Sequence, residues 1–171
     1  LCHPMQRRIK LLMFWKEFLF TGLYTGYFPK GSGTVGAFLA LLFYIIIHQL
    51  CGKYGIMVNL ILVTVILYPS IKLGDDAEIF FAMKDPHAVV LDEMLGFWVT
   101  MLFHSFSLLS VLLGFIFFRL FDIMKPYPIQ KLEHCKGGLG IMMDDIIAGV
   151  YANVVISLIL FIMNIYGIVL V

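Results

Sequence analysis

The stretch with the greatest capacity for chemistry is Gly137-Gly138-Leu139-Gly140-Ile141-Met142-Met143-Asp144-Asp145-Ile146-Ile147-Ala148-Gly149, where a glycine-rich turn runs into an apolar segment ending at Val171. Charged side chains are costly inside a bilayer and normally persist there for a function. At the mouth of a membrane helix the cost is smaller, because the headgroup layer is wet and a bound cation neutralises carboxylates. The simpler alternative is that Asp144 and Asp145 cap the positive end of the helix. One Asp would serve as a cap; two adjacent ones point to a cation.

Three further clusters carry related groups. Lys30-Gly31-Ser32-Gly33-Thr34-Val35-Gly36 is a glycine-rich loop leading into a helix N-terminus. Backbone N–H groups and the dipole favour an anion there, with Lys30 and Thr34 available to help. The Walker A spacing is missing, so no nucleotide is implied, and a plain glycine turn is the alternative. Asp85-Pro86-His87-Ala88-Val89-Val90-Leu91-Asp92-Glu93 again opens a helix with acids, and capping accounts for one of Asp92 and Glu93 but not for both together with Asp85. In Phe118-Arg119-Leu120-Phe121-Asp122-Ile123-Met124-Lys125-Pro126-Tyr127-Pro128, the three-residue spacing puts Arg119, Asp122 and Lys125 on one helical face before the prolines end the helix. An intrahelical ion pair with a snorkelling Lys is the competing account.

Together these clusters nominate Asp92, Glu93, Asp122, Asp144 and Asp145 as catalytic, metal-binding carboxylates. Arg119, Lys125, Lys30 and Thr34 are the candidate phosphate ligands. Hard oxygen donors select Mg²⁺ over softer metals, and Arg offers a planar fork to phosphate oxygens. The metal would polarise a phosphoryl group, and attack by an Asp or by a metal-activated water both fit. His87 and His134 flank the site as incidental groups or as general acids, whereas His48 and His104 read as structural.

These residues must be positioned by a membrane-embedded scaffold. The chain has 171 residues, 61% of them hydrophobic, and a mean hydropathy of +0.98, which excludes an ordinary soluble domain. It reads as one multi-pass all-α membrane domain over residues 1–171, with 1–28 as an N-terminal interfacial segment. Within that segment Arg7, Arg8, Lys10 and Lys16 alternate with Trp15, Phe18, Tyr24 and Tyr27, a composition suited to the headgroup layer. A formal net charge of +1 gives no electrostatic footprint for nucleic acid. Cys2, Cys51 and Cys135 are too widely spaced for a metal pair or a disulfide framework.

Val35–Leu50 is the first expected span, Ile56–Leu73 the second, and Gly74–Leu91 a polar, acidic connection. As one helix Met94–Phe121 would reach roughly 42 Å, too long for a hydrocarbon core of about 30 Å. His104-Ser105-Phe106-Ser107 offers a break, so the region is expected to form a hairpin of shorter helices, 92–104 and 107–124. The last span is Asp144–Val171, with Ala148, Gly149 and Ala152 as a small-residue packing face. Five membrane-embedded helices result, with the C-terminus outside. The hairpin gathers every acid and every Lys or Arg except Lys53 on one side, which the positive-inside rule makes cytoplasmic.

DPHAVVLDEMLGFW, FRLFDIMKPYPI and GGLGIMMDDIIAG, in that order and spacing, resemble the phosphatidylglycerophosphatase A family. KGSGTVGAF is similar to that family's PGT-x-GS segment, with Ser32 in place of Pro and Ala37 in place of Ser. The resemblance spans roughly residues 28–152. It implies a Mg²⁺-dependent phosphatase of the bacterial inner membrane that converts phosphatidylglycerophosphate to phosphatidylglycerol in phospholipid biosynthesis. Its active site would face the cytoplasm, with a phospholipid substrate and no protein partner implied. It also implies site roles for Asp92, Glu93, Arg119, Asp122, Lys125, Asp144 and Asp145.

Other chemistries fit less well. Cys135 lacks the Arg of a C-x₅-R cysteine phosphatase, and DxDx[TV] is absent. So are the KxxxxxxRP pattern of histidine-based membrane phosphatases and the DG-x₂-AR signature of phosphatidyltransferases. The alternatives are another metal-dependent membrane phosphotransfer enzyme or a carboxylate-lined cation transporter. A transporter would place its acids near mid-membrane rather than on one side.

Overall fold

A computed structural model describes residues 3–132 and 135–167, and α-helices with two short 3₁₀ turns account for its regular structure. The helices are α1 (His3–Phe20), α2 (Ser32–Cys51), α3 (Gly55–Phe81), α4 (Leu91–Thr100), α5 (Leu108–Met124), α6 (Ile129–Leu132) and α7 (Gly138–Ile165). Two stretches, Ser32–Phe81 and Gly138–Ile165, are long and apolar enough to cross a membrane. The first is interrupted by a 3₁₀ turn at Gly52–Tyr54 and divides into α2 and α3, which pack on each other.

α4 is the axis of the molecule. All of its residues except Glu93 are buried, and α2, α3, α5 and α7 surround it. Its ten residues rise only about 15 Å, about half the thickness of a hydrocarbon core. A helix that ends inside a packed bundle must have its last carbonyls satisfied by protein. Asn59 Nδ2 donates to the Trp98 carbonyl at 3.2 Å, and Asn153 Nδ2 donates to those of Thr100 and Leu102 at 2.9 and 2.8 Å. The expected break is therefore present, from Met101 to Ser107, and Ser107 and Ser110 close a capping box that starts α5.

α4 lies tightly against α7 because both are small where they cross. A Cβ on Gly96 would meet the Asp145 carbonyl and the Phe118 ring, and one on Gly149 would meet the Gly96 carbonyl. Ala148 and Ala152 are fully buried beside them, which is the small-residue face expected from the sequence. This crossing brings the first turn of α4 alongside the acidic turn of α7.

Several element boundaries differ from expectation: α4 ends at Thr100 rather than at 104, and two further differences bear on the site. α3 does not end at Leu73 but continues to Phe81, carrying Asp75, Asp76 and Glu78 on its last turns. Pro69 lies inside it, and the Ser70 hydroxyl donates to the Ile66 carbonyl at 2.9 Å. α7 begins at Gly138, six residues before Asp144. Gly137 turns the chain at φ +69°, and Gly138 sits on the α3 backbone where a Cβ would strike the Ile71 carbonyl. The Asp75 carboxylate then accepts from the Gly138 N–H at 2.8 Å. Asp144 and Asp145 consequently cap nothing; they stand nearly two turns into the helix, and the capping alternative falls.

α1 lies along α3, tied by Lys16 Nζ to Asp76 Oδ2 at 2.8 Å. Phe14, Trp15, Phe18 and Tyr24 form consecutive edge or tilted ring contacts beside it. His48 and His104 are buried apart from the acidic cluster, His48 against the Tyr44 ring and His104 with its carbonyl accepting from the Tyr44 hydroxyl.

Candidate active site

Three helix ends build the site. The first turn of α4 supplies Asp92 and Glu93, the last turns of α5 supply Arg119 and Asp122, and α7 supplies Asp144 and Asp145. Lys125 follows as the C-cap of α5, in a left-handed conformation at φ +41°. The sequence expectation that Glu93 and Asp122 share one end of the bundle holds, because both line the same cavity.

That cavity measures about 120 Å³ and is bounded by Asp92, Glu93, Asp122, Lys125, Asp144 and Asp145, with Ser32, Asp85 and His87 at its rim. A wider cleft of about 670 Å³ adjoins it, sharing Ser32, His87, Glu93 and Asp122 and adding Arg119, Tyr27, Phe28 and Ile123. Asp92, Glu93 and Asp145 each present an oxygen within 4.8 Å of the others. The Asp122 carboxylate adjoins that of Asp145. Asp144 is engaged elsewhere, its Oδ2 accepting from Lys125 Nζ at 2.9 Å and its Oδ1 from the Asp145 N–H at 3.0 Å.

Arg119 forms an ion pair with Asp122 through Nη1. That pair engages Nη1, whereas Arg119 Nε is buried without an acceptor among the described residues. Asp92 Oδ1 and Glu93 Oε2 are likewise buried without a donor. Buried polar atoms without partners are rare in folded proteins and need a reason. Here they are complementary: carboxylate oxygens without donors suit a cation, and the Arg119 Nε without an acceptor suits an anion. The donor set is all oxygen, which fits a hard divalent ion such as Mg²⁺.

The glycine loop has a steric role that its composition does not disclose. A Cβ on Gly33 would strike the Glu93 carboxylate and crowd Arg119 Nη1, so glycine allows the start of α2 to close against the site. Ser32 Oγ donates to the His87 carbonyl at 2.9 Å and ties that loop to the α3–α4 connection. Lys30 and Thr34, the expected anion ligands, line neither cavity. Ser32 and Asp85 do, although neither is among the site residues nominated from the sequence; Asp85 is the better marked of the two, already counted with Asp92 and Glu93 in the acidic motif before α4. His87 stands where the two cavities meet, and His134 lies outside the described residues.

The family described as Phosphatidylglycerophosphatase A matches residues 18–160. A Bacteroides thetaiotaomicron protein named "Putative phosphatidylinositol-3-phosphatase" is 36% identical over 141 residues, covering 80% of this chain and 88% of its own. Phosphatidylglycerophosphatase A of Escherichia coli is 30% identical over 145 residues, 84% of this chain and 81% of its own. The Haemophilus influenzae protein of the same name is 29% identical over 140 residues, with 81% and 84% covered. No solved structure matches the chain.

Proposed function

The chain belongs to the phosphatidylglycerophosphatase A family and is an enzyme, a phosphoric monoester hydrolase; from that premise we propose that it releases phosphate from phosphatidylglycerophosphate with the help of Mg²⁺, at the cytoplasmic face of a bacterial inner membrane. The observation that carries this reading is a pair of unmet demands in adjoining cavities, Asp92 and Glu93 oxygens without donors and an Arg119 Nε without an acceptor. A metal–phosphomonoester pair meets both.

Asp92, Glu93 and Asp145 would hold the ion, with Asp122 beside them. When bound, the ion supplies Lewis-acid polarisation of the phosphoryl group. Arg119 receives the non-bridging phosphate oxygens through Nε and the donors that Asp122 leaves available, while Asp122 holds the guanidinium in place through Nη1. Lys125 adds a second positive charge, oriented by Asp144. Their donors stabilise the negative charge that accumulates as the P–O bond breaks, which is the arrangement that lowers a phosphoryl-transfer barrier. The wider cleft takes the rest of the headgroup. The product role is in phospholipid biosynthesis, and a cation transporter is disfavoured because the acids gather at one end of the helices.

The decisive assay is phosphate release by the purified protein from phosphatidylglycerophosphate, with and without Mg²⁺. The Bacteroides relative's name makes phosphatidylinositol 3-phosphate the comparison substrate. Faster turnover of the inositol lipid would transfer the proposal to that headgroup and leave the phosphomonoesterase chemistry in place.

A further inference from the structure

We propose that the diacyl substrate reaches this site sideways from the bilayer, through the seam between α2 and α5, with an acyl chain lying against Phe38, Leu112 and Ile116. The inference rests on the lipid-phosphatase reading above and adds the route and the surface that holds the tail.

Continuity between a polar cleft and an apolar face carries it. The cleft opens between the start of α2 and the end of α5, and its lining already mixes Arg119 and Asp122 with exposed Phe28 and Ile123. On α5, Leu112, Phe115 and Ile116 fall on the stripe that reaches Arg119 at spacings of seven, four and three residues. Directly below the phosphate-binding group, that helix face is therefore hydrocarbon. Across the seam, Phe38 meets Phe115 edge to face at 6.4 Å. Phe38 remains 50% exposed and Ile116 57% exposed, so one ring contact bridges the seam without covering it. A phosphate at the top and an apolar trough beneath describe a phospholipid, with its phosphate at headgroup depth and its tail along the trough.

A rival trough exists. An apolar cavity of about 340 Å³ lies among α1, α2, α3 and α4, walled on α4 by Leu91, Met94 and Trp98. Those residues repeat at helical spacing on the side of α4 turned away from Asp92 and Glu93. A tail seated there would have to pass around the N-terminus of α4, where the Val90 N–H is bonded to the Phe20 carbonyl at 3.0 Å. The seam needs no such detour.

The test compares dioleoyl with dihexanoyl phosphatidylglycerophosphate in detergent micelles, using Phe38→Trp and Ile116→Trp to fill the seam and Ile66→Trp to fill the rival cavity. Each seam variant is expected to raise KM for the dioleoyl substrate about tenfold, equivalent to about 1.4 kcal/mol, while the dihexanoyl KM stays within about twofold, since a short tail gains little from an apolar wall. Ile66→Trp should leave the ratio between the two substrates unchanged. Two variants on separate helices guard against one failing to fold, and helicity and elution volume check each. The proposal is overturned if the seam variants move both substrates equally, if only Ile66→Trp changes the ratio, or if the seam variants alter dimerisation with both KM values unmoved. Loss of the route alone leaves the unsubstituted protein active on both substrates; absence of phosphate release from either would remove the lipid-phosphatase reading together with the route.

Discussion

Asp144 and Asp145 are neighbours with different commitments. Asp145 presents an oxygen to Asp92 and Glu93, while Asp144 commits both oxygens to Lys125 and to the Asp145 backbone. Removing a group that stabilises transition-state charge costs about 3–4 kcal/mol, two to three decades in rate. Asp145→Asn should therefore lose turnover on that scale and need far more Mg²⁺ for what remains. Asp144→Asn keeps an acceptor for the Asp145 N–H and loses only the charge facing Lys125, a charged hydrogen bond of about 1.5–3 kcal/mol at most. Its loss should be smaller, with the Mg²⁺ requirement little changed; initial rates across a Mg²⁺ series separate the two. Arg119→Lys keeps the charge but abandons the planar fork, so turnover should fall while folding is retained. If Arg119 and Lys125 only hold helix ends together, replacing both would lower Tm and leave turnover per folded molecule near normal.

At the scale of elements, the acidic motifs are legible in the sequence but their placement is only partly so. Acids opening α4, a basic and acidic face closing α5 and small residues on α7 are all readable, because each is a local pattern of spacing. The start of α7 is not, since its cap is Asp75, sixty-three residues upstream on another helix. That Lys30 and Thr34 line neither cavity is hidden for a similar reason: a glycine loop looks alike in sequence whether or not it also clears space, and only the structure shows Glu93 lying against Gly33. Gly33→Ala should accordingly impair turnover by displacing Glu93, with Tm falling much less than activity. Gly149→Ala acts on a whole helix pair. Its methyl group meets the Gly96 carbonyl, so α4 and α7 must separate, at a cost of about 1–3 kcal/mol. Thermal unfolding should register that loss, and activity should fall further because Asp92 and Asp145 belong to the two helices being parted.

Across the whole molecule, the site concentrates charge that the fold alone does not balance. Asp85, Asp92, Glu93, Asp122, Asp144 and Asp145, when ionised, face Arg119 and Lys125, six acids against two bases and so an excess of four negative charges around the small cavity and its adjoining cleft. Desolvated charge without compensation opposes folding, whereas a ligand bound only by the native state stabilises it. Mg²⁺ should therefore act on the bundle as well as on the reaction. At a free concentration about 100 times its Kd, the expected gain is about 2.7 kcal/mol, read as a rise in Tm in detergent that chelator reverses. The carboxylates come from three helices, so the ion would link α4 and α7 directly and α5 through Asp122. Asp145→Asn should abolish the Mg²⁺-dependent part of the rise, and by relieving repulsion it should leave the metal-free protein at least as stable as before. A metal needed only for substrate binding predicts something else: equal Tm with and without Mg²⁺, and a Tm lowered by Asp145→Asn in both conditions. Melting curves of the two proteins in chelator and in Mg²⁺ separate these cases without reference to turnover.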